Sequence, residues 1–140
     1  MATVLTLGTF DPLHEGHLGL FRQCQNFAGE YGKLVVAVNS DQFIKQYRGA
    51  LPSITALVRA EAINQLDMVD SVLINYGGAN QAALINQVNP DFLVIGLDWA
   101  FKDYYGQLGI TREWLEERNI QLAYVPRTGD WSSTEIKFRQ

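Results

Sequence analysis

The chain has two histidines, His14 and His17, and they stand three residues apart in the segment Gly8-Thr9-Phe10-Asp11-Pro12-Leu13-His14-Glu15-Gly16-His17. At that spacing, on the first turn of a helix, both rings face the same side. Gly8 and Gly16 let the backbone pass close to a ligand. The helix that follows offers N–H groups to an anion. These parts suit phosphoryl or nucleotidyl transfer, which needs donors aimed at phosphate oxygens and no covalent protein intermediate. Asp11 with the two histidines would alternatively give three zinc ligands, but no fourth ligand or supporting carboxylate is evident, so no metal residue is assigned. A dinucleotide-type Gly-x-Gly-x-x-Gly turn is absent here.

Two further segments carry chemistry. In Pro126-Arg127-Thr128-Gly129-Asp130-Trp131-Ser132-Ser133-Thr134-Glu135-Ile136, an arginine precedes a Ser/Thr run that opens a helix pattern. Such a run can cradle phosphate or simply cap a terminal helix. In Gly96-Leu97-Asp98-Trp99, a carboxylate and an indole follow an apolar strand pattern. Trp99 reads equally well as a core or lid aromatic.

The elements that must position these groups are legible from periodicity. Val4, Leu5 and Leu7 form a strand, and apolar spacing makes His17 to Ala28 a helix. Leu34 to Val38 is a buried strand. Residues 39–53 read as a long functional loop, or as a short helix plus loop. Thr55 to Leu66 is helical, Val69 to Ile74 a strand, and Gln81 to Val88 a helix stopped by Pro90. Phe92 to Ile95 is a strand, and Gly96 to Gly109 is irregular. Thr111 to Arg118 is a helix capped by Thr111. Gln121 to Val125 is the last strand, and Ser132 to Arg139 a short final helix. Strands alternating with helices predict an α/β fold: a doubly wound, parallel five-stranded sheet with helices on both faces, as one domain over residues 1–140. In such folds ligands bind beyond the carboxyl ends of the strands, where strand order reverses.

At 140 residues, 47% hydrophobic and 19% charged, the composition is that of a globular domain. The net charge of −4 argues against nucleic acid as a partner. No apolar run is long enough to cross a bilayer, and no signal-peptide pattern opens the chain. The lone Cys24 lies among Leu20, Phe21 and Phe27 on a helical face and reads as a core residue. A cytoplasmic location is expected.

The pattern Gly8-x-Phe10-Asp11-x-x-His14-x-Gly16-His17 resembles the signature of the cytidylyltransferase-type nucleotidyltransferases, whose histidine pair is written His-x-Gly-His. The resemblance runs collinearly from Val4 to Ile136. The family's second signature, Arg-Thr-x-Gly-Ile-Ser-Ser/Thr-Thr, is matched at Arg127, Thr128, Ser132, Ser133 and Thr134; it departs at Asp130, where Gly is usual, and at Trp131, where Ile is usual. Gly96-Leu97-Asp98-Trp99 resembles the Gly-Asp-Asp-Trp of glycerol-3-phosphate cytidylyltransferases, with Leu97 in place of the first Asp. Arg59 stands where the family has an arginine, without the Tyr-Glu-x-Arg context, and Lys45 and Arg48 lie where it places mobile basic residues.

The resemblance implies the Rossmann-like nucleotidyltransferase fold and a division of roles. His14, His17, Arg127 and Lys45 are the expected catalytic residues. Gly8, Thr9, Phe10, Asp11, His14, His17, Gly96, Asp98, Trp99, Arg127, Thr128, Ser132, Ser133 and Thr134 are expected to bind nucleotide. Arg59, Asp11 and Arg48 are expected on the second substrate. The implied reaction moves CMP from CTP to a small phosphorylated alcohol, with Mg²⁺ bridging phosphates and a homodimer as the assembly. An adenylyltransferase using ATP and a sugar phosphate is the rival within enzymes, since Asn39-Ser40-Asp41 resembles those relatives. A catalytically silent nucleotide-binding module is the rival outside them.

Overall fold

The computed structural model describes residues 2–97 and 102–126. Five strands, β1 (Thr3–Gly8), β2 (Lys33–Asn39), β3 (Ser71–Asn75), β4 (Phe92–Gly96) and β5 (Gln121–Val125), form one all-parallel sheet in the order β3-β2-β1-β4-β5. Among the described residues six helices are interspersed with them: α1 (Glu15–Ala28), α2 (Asp41–Arg48), α3 (Ala56–Asn64), α4 (Asn80–Val88), α5 (Tyr104–Leu108) and α6 (Arg112–Glu117).

Both faces of the sheet are covered, and the strand period of two decides which residue goes where. Leu5, Leu7, Val35, Ala37, Leu93 and Ile95 face a core that includes Leu84 and Ile85 of α4, Leu108 of α5 and Leu115 of α6. Their neighbours Val4, Leu34, Val36, Val38 and Val94 face Phe21, Cys24 and Ala28 of α1 and Ile63 of α3. Each Val, Leu, Ile or Phe among them stabilises the fold by about 1.5–3 kcal/mol when fully buried. This is why the strands read as continuous apolar runs. Cys24 is buried, and burial pushes its thiol up to about 12, so it is an inert core residue.

The order reverses between β1 and β4, and the two joints of β1 differ. Its register with β2 runs over six pairs, from Thr3↔Lys33 to Gly8↔Val38. Its register with β4 is confined to Val4↔Phe92 and Leu5↔Leu93. Beyond Leu5 the two strands part, and their carboxyl ends border a crevice.

Several boundaries differ from the sequence expectation. Helix α1 starts at Glu15, with His14 as its N-cap, because the His14 side chain accepts from Gly16 N and replaces the usual Ser or Asp. Residues 41–48 form a helix, which meets the second of the two readings of residues 39–53, and Ser40 Oγ accepts from Phe43 N. The stretch expected to be irregular contains α5, capped by Asp103. Strand β3 begins at Ser71 rather than Val69 and ends one residue later than expected, at Asn75. The expected final helix, Ser132 to Arg139, lies outside the described residues.

Candidate active site

The crevice beyond the β1–β4 seam is a pocket of about 220 Å³, lined by Leu7, Gly8, Thr9 and Phe10 from β1 and its loop, His14, Gly16, His17 and Leu20 from the start of α1, and Ile95, Gly96, Val125 and Pro126. Its floor is thus the open end of the sheet, and its wall is the first turn of a helix.

The histidines are held as a pair. His17 N and Leu18 N donate to the His14 carbonyl, which fixes the turn. His14 Nδ1 accepts from Gly16 N at 3.0 Å, and His17 Nδ1 accepts from His14 N at 3.1 Å. In a neutral ring the remaining proton then sits on Nε2, and the two rings stack with centroids 3.8 Å apart at 27°. This reciprocal arrangement is a capping box built from two imidazoles. The Gly16 amide is committed to His14 Nδ1.

Phe10 positions the second ring. It is buried, takes φ 54°, and meets His17 edge-on at 4.9 Å while leaning on Phe21 at 5.5 Å. A Cβ at Gly8 would stand 2.7 Å from the Phe10 ring, so only glycine fits there. Phe10 therefore reaches the site as the support behind His17.

Asp11 and Arg59 are both placed differently from expectation. Asp11 was expected to bind nucleotide and the second substrate. Its carboxylate instead accepts from Ser53 N at 2.8 Å and Ile54 N at 2.9 Å, with Arg48 at 3.6 Å, and so latches the segment before α3 onto the histidine loop. Burial alone would raise its pKa, but the two backbone donors and the charges of Arg59 and Arg48 outweigh it, and the carboxyl sits below its ordinary value. Arg59, expected on substrate, is 2% exposed. It donates to Ile54 O, Thr9 O, Asn39 O and Asp41 Oδ1, all at 2.7–2.9 Å. Those donors tie the carboxyl ends of β1 and β2 to α2 and α3, which makes Arg59 a strut. Arg48 pairs with Asp11, and Lys45 lies exposed on α2; neither lines the pocket. Gly96 does line it. Asp98, Trp99, Arg127, Thr128, Ser132, Ser133 and Thr134 lie outside the described residues.

Sequence reasoning missed a buried polar cluster behind Thr9. Asn75 Nδ2 donates to Asn39 Oδ1 at 3.0 Å and to Gln81 Oε1 at 3.1 Å. Gln81 Nε2 donates to Gln107 O at 2.8 Å. Tyr47 Oη and Thr9 Oγ1 share a hydrogen bond of 2.7 Å. The available signal was positional: β2 and β3 are apolar runs that both end in Asn, at the edge where ligands bind.

The cytidylyltransferase-like family model matches residues 5–139, and the chain belongs to that family. It is a nucleotidyltransferase. Among relatives, the FAD synthase of Korarchaeum cryptofilum is 32% identical over 136 residues, covering 95% of this chain and 87% of that protein. The FAD synthase of Thermococcus onnurineus is 37% identical over 122 residues, covering 87% and 79%. The bifunctional protein HldE of Koribacter versatilis is 36% identical over 134 residues, which are 95% of this chain and 26% of that longer protein. A solved structure from Archaeoglobus fulgidus, of unknown function, aligns with a TM-score of 0.67 at 25% identity over 96% of each chain. A lipopolysaccharide core biosynthesis protein from Thermoplasma volcanium aligns at 0.67 with 23% identity, over 91% of this chain and 98% of that one, and shows the shared fold. Among the described residues, no helix is long and apolar enough to cross a membrane.

Proposed function

We propose that the chain transfers an adenylyl group from ATP to the phosphate of a small acceptor, releasing pyrophosphate. The observation that carries the reading is the pair of stacked imidazoles, both with Nδ1 occupied by backbone amides, on the wall of the crevice at the switch point. Their Nε2–H groups donate to phosphate oxygens and stabilise the charge that builds on them in the transition state. An acceptor phosphate oxygen attacks the α-phosphorus. The bond between that phosphorus and the bridging oxygen to the β-phosphate breaks, and pyrophosphate leaves with the electron pair. Arg127, Thr128 and the run Ser132, Ser133 and Thr134 hold the β- and γ-phosphates in this reading, as the resemblance implies.

Adenine is favoured over cytosine by the relatives' names: FAD is an adenine dinucleotide, so a FAD synthase adds an adenylyl group. Asn39-Ser40-Asp41 supports the same choice. CTP is the second reading, favoured by Asp98 and Trp99 after Gly96. The nucleotide enters with Mg²⁺ on its phosphates. A cytoplasmic homodimer completes the proposal, and sedimentation of the full chain checks the dimer.

Pyrophosphate release, measured with each of four nucleoside triphosphates against a panel of phosphorylated acceptors, tests the reading. ATP should support turnover with at least one acceptor. Turnover only with CTP would favour the second reading, and none with any nucleotide would overturn both.

A further inference from the structure

The buried carboxamides behind the Gly8–Thr9 turn form a chain whose direction is fixed by backbone groups. Gly77 N donates to Asn75 Oδ1 at 3.1 Å, which turns Asn75 Nδ2 the other way. That Nδ2 donates to Asn39 Oδ1 and to Gln81 Oε1. Gln81 Nε2 in turn donates to the Gln107 carbonyl at 2.8 Å. A backbone N–H only donates and a carbonyl only accepts. No carboxamide in the chain can therefore flip without breaking a buried bond, which is costly. Asn39 is held with Oδ1 toward Asn75 and Nδ2 toward Thr9 and Tyr47, 3.3 Å from each hydroxyl oxygen.

The hydroxyl pair takes its polarity from this arrangement. Thr9 Oγ1 and Tyr47 Oη are 2.7 Å apart, so one donates to the other. Neither donates to Asn39, which presents N–H to both. A phenol is a stronger acid than an alcohol, and the alcohol is the better acceptor, so the Tyr47 proton lies on Thr9. Both acceptor positions of Thr9 Oγ1 are then filled, one by Tyr47 and one by Asn39, and its own proton points elsewhere. Thr9 also lines the histidine pocket, beside Gly8, His14 and His17. We propose that Tyr47 is a positioning residue for the transfer reaction: together with Asn39 it holds the Thr9 hydroxyl as a donor to a phosphate oxygen in that pocket. The proposal rests on nucleotidyl transfer at the histidines.

Two observations favour this role over a plain staple between α2 and the histidine loop. The first is that α2 is already tied down. Phe43 and Ile44 are buried, Asp41 meets Arg59 at 2.7 Å, and Arg48 meets Asp11 at 3.6 Å. The second is the polarity of the chain behind Thr9. Asn39, Asn75 and Gln81 are 7%, 1% and 2% exposed, and burying three carboxamides costs desolvation that apolar side chains would avoid. What the carboxamides supply is direction. Each hydroxyl accepts before it donates, and hydrogen bonds linked in this way strengthen one another, so Thr9 stands at the donor end of the chain.

The test follows pyrophosphate release by the full chain with ATP saturating and the best acceptor of the panel; CTP replaces ATP if CTP alone supports turnover. Tyr47→Phe keeps the ring that packs edge-on against Phe43 at 5.0 Å. It should lower kcat by about 3- to 10-fold, the worth of one neutral hydrogen bond, and leave the KM for nucleotide unchanged. Thr9→Val should lower kcat by about 10- to 100-fold, since a donor to a charged oxygen is lost. Thr9→Ser keeps the hydroxyl and should retain most of the rate. Tyr47→Phe added to Thr9→Val should cost nothing further, because Tyr47 acts through Thr9. Rates are read well below the melting temperature, where a purely structural loss would leave kcat intact. Thr9→Ala replaces Thr9→Val if circular dichroism shows the latter unfolded, and Tyr47→Phe carries the test alone if neither folds. An unchanged kcat in Tyr47→Phe overturns the proposal and leaves nucleotidyl transfer standing. So does full kcat in Thr9→Val, or a Tyr47→Phe penalty that persists undiminished beside it. No pyrophosphate release with any nucleotide overturns both readings.

Discussion

His14 serves two purposes: it caps α1 and lines the pocket. The His14→Ala variant should lose about 10²–10³-fold in kcat, as expected for a lost transition-state donor, and also roughly 1 kcal/mol of stability from the missing cap. His17→Ala should lose turnover similarly. Urea unfolding beside steady-state rates separates the two effects, and near-full activity in either variant contradicts the assigned role. Asp11 gives a pH prediction. Its folded pKa lies below its ordinary value, so its stabilisation is present above the unfolded carboxylate pKa, near 4, and fades as pH falls through the lower folded value. Asp11→Asn should cost about 1–3 kcal/mol at pH 7. Denaturation midpoints of the two proteins should converge below about pH 4; a gap that widens on acidification would show the sign to be wrong. The histidines were legible because two rings three apart after a glycine is a local pattern. The partners of Asp11 were not, since Ser53 and Ile54 lie 42 and 43 residues away and no periodicity encodes that contact.

At the scale of elements, Arg59 shows why sequence alone misleads. An arginine standing where the family has one reads as a substrate ligand, and only its burial reveals that it bridges strand ends. Removing it leaves the buried Asn39 carbonyl and the part-buried Thr9 and Ile54 carbonyls without that donor. Arg59→Ala should therefore destabilise by roughly 3 kcal/mol or more, and Arg59→Lys should recover only part of this, having no planar fork. Thermal unfolding of both variants, at equal activity per folded molecule, checks the point. Gly8→Ala should act through Phe10: the displaced ring shifts His17, and kcat falls while nucleotide binding changes less. Strand and helix identities were readable because apolar spacing is a property of each segment. The start of α1 was not, because a histidine cap looks like a loop histidine until its side chain is placed.

For the whole molecule, the doubly wound parallel sheet followed from alternating elements. The polar cluster of Asn39, Asn75 and Gln81 did not, because it forms only once β2, β3 and α4 come together. A nucleotide bound across the crevice stabilises the fold by mass action, by about 2.7 kcal/mol at a concentration of 100 Kd. The melting temperature should rise by several degrees, and a flat titration with every nucleotide would count against the pocket. The short seam between β1 and β4 has a mechanical meaning as well. With two paired positions on one side and six on the other, the β1–β4 seam is where the sheet has the fewest backbone pairings to hold it closed. A triphosphate lying over the gap acts as a brace, so the amides of Leu7 and Ile95 should gain far more hydrogen-exchange protection on binding than Val36, which lies away from that seam.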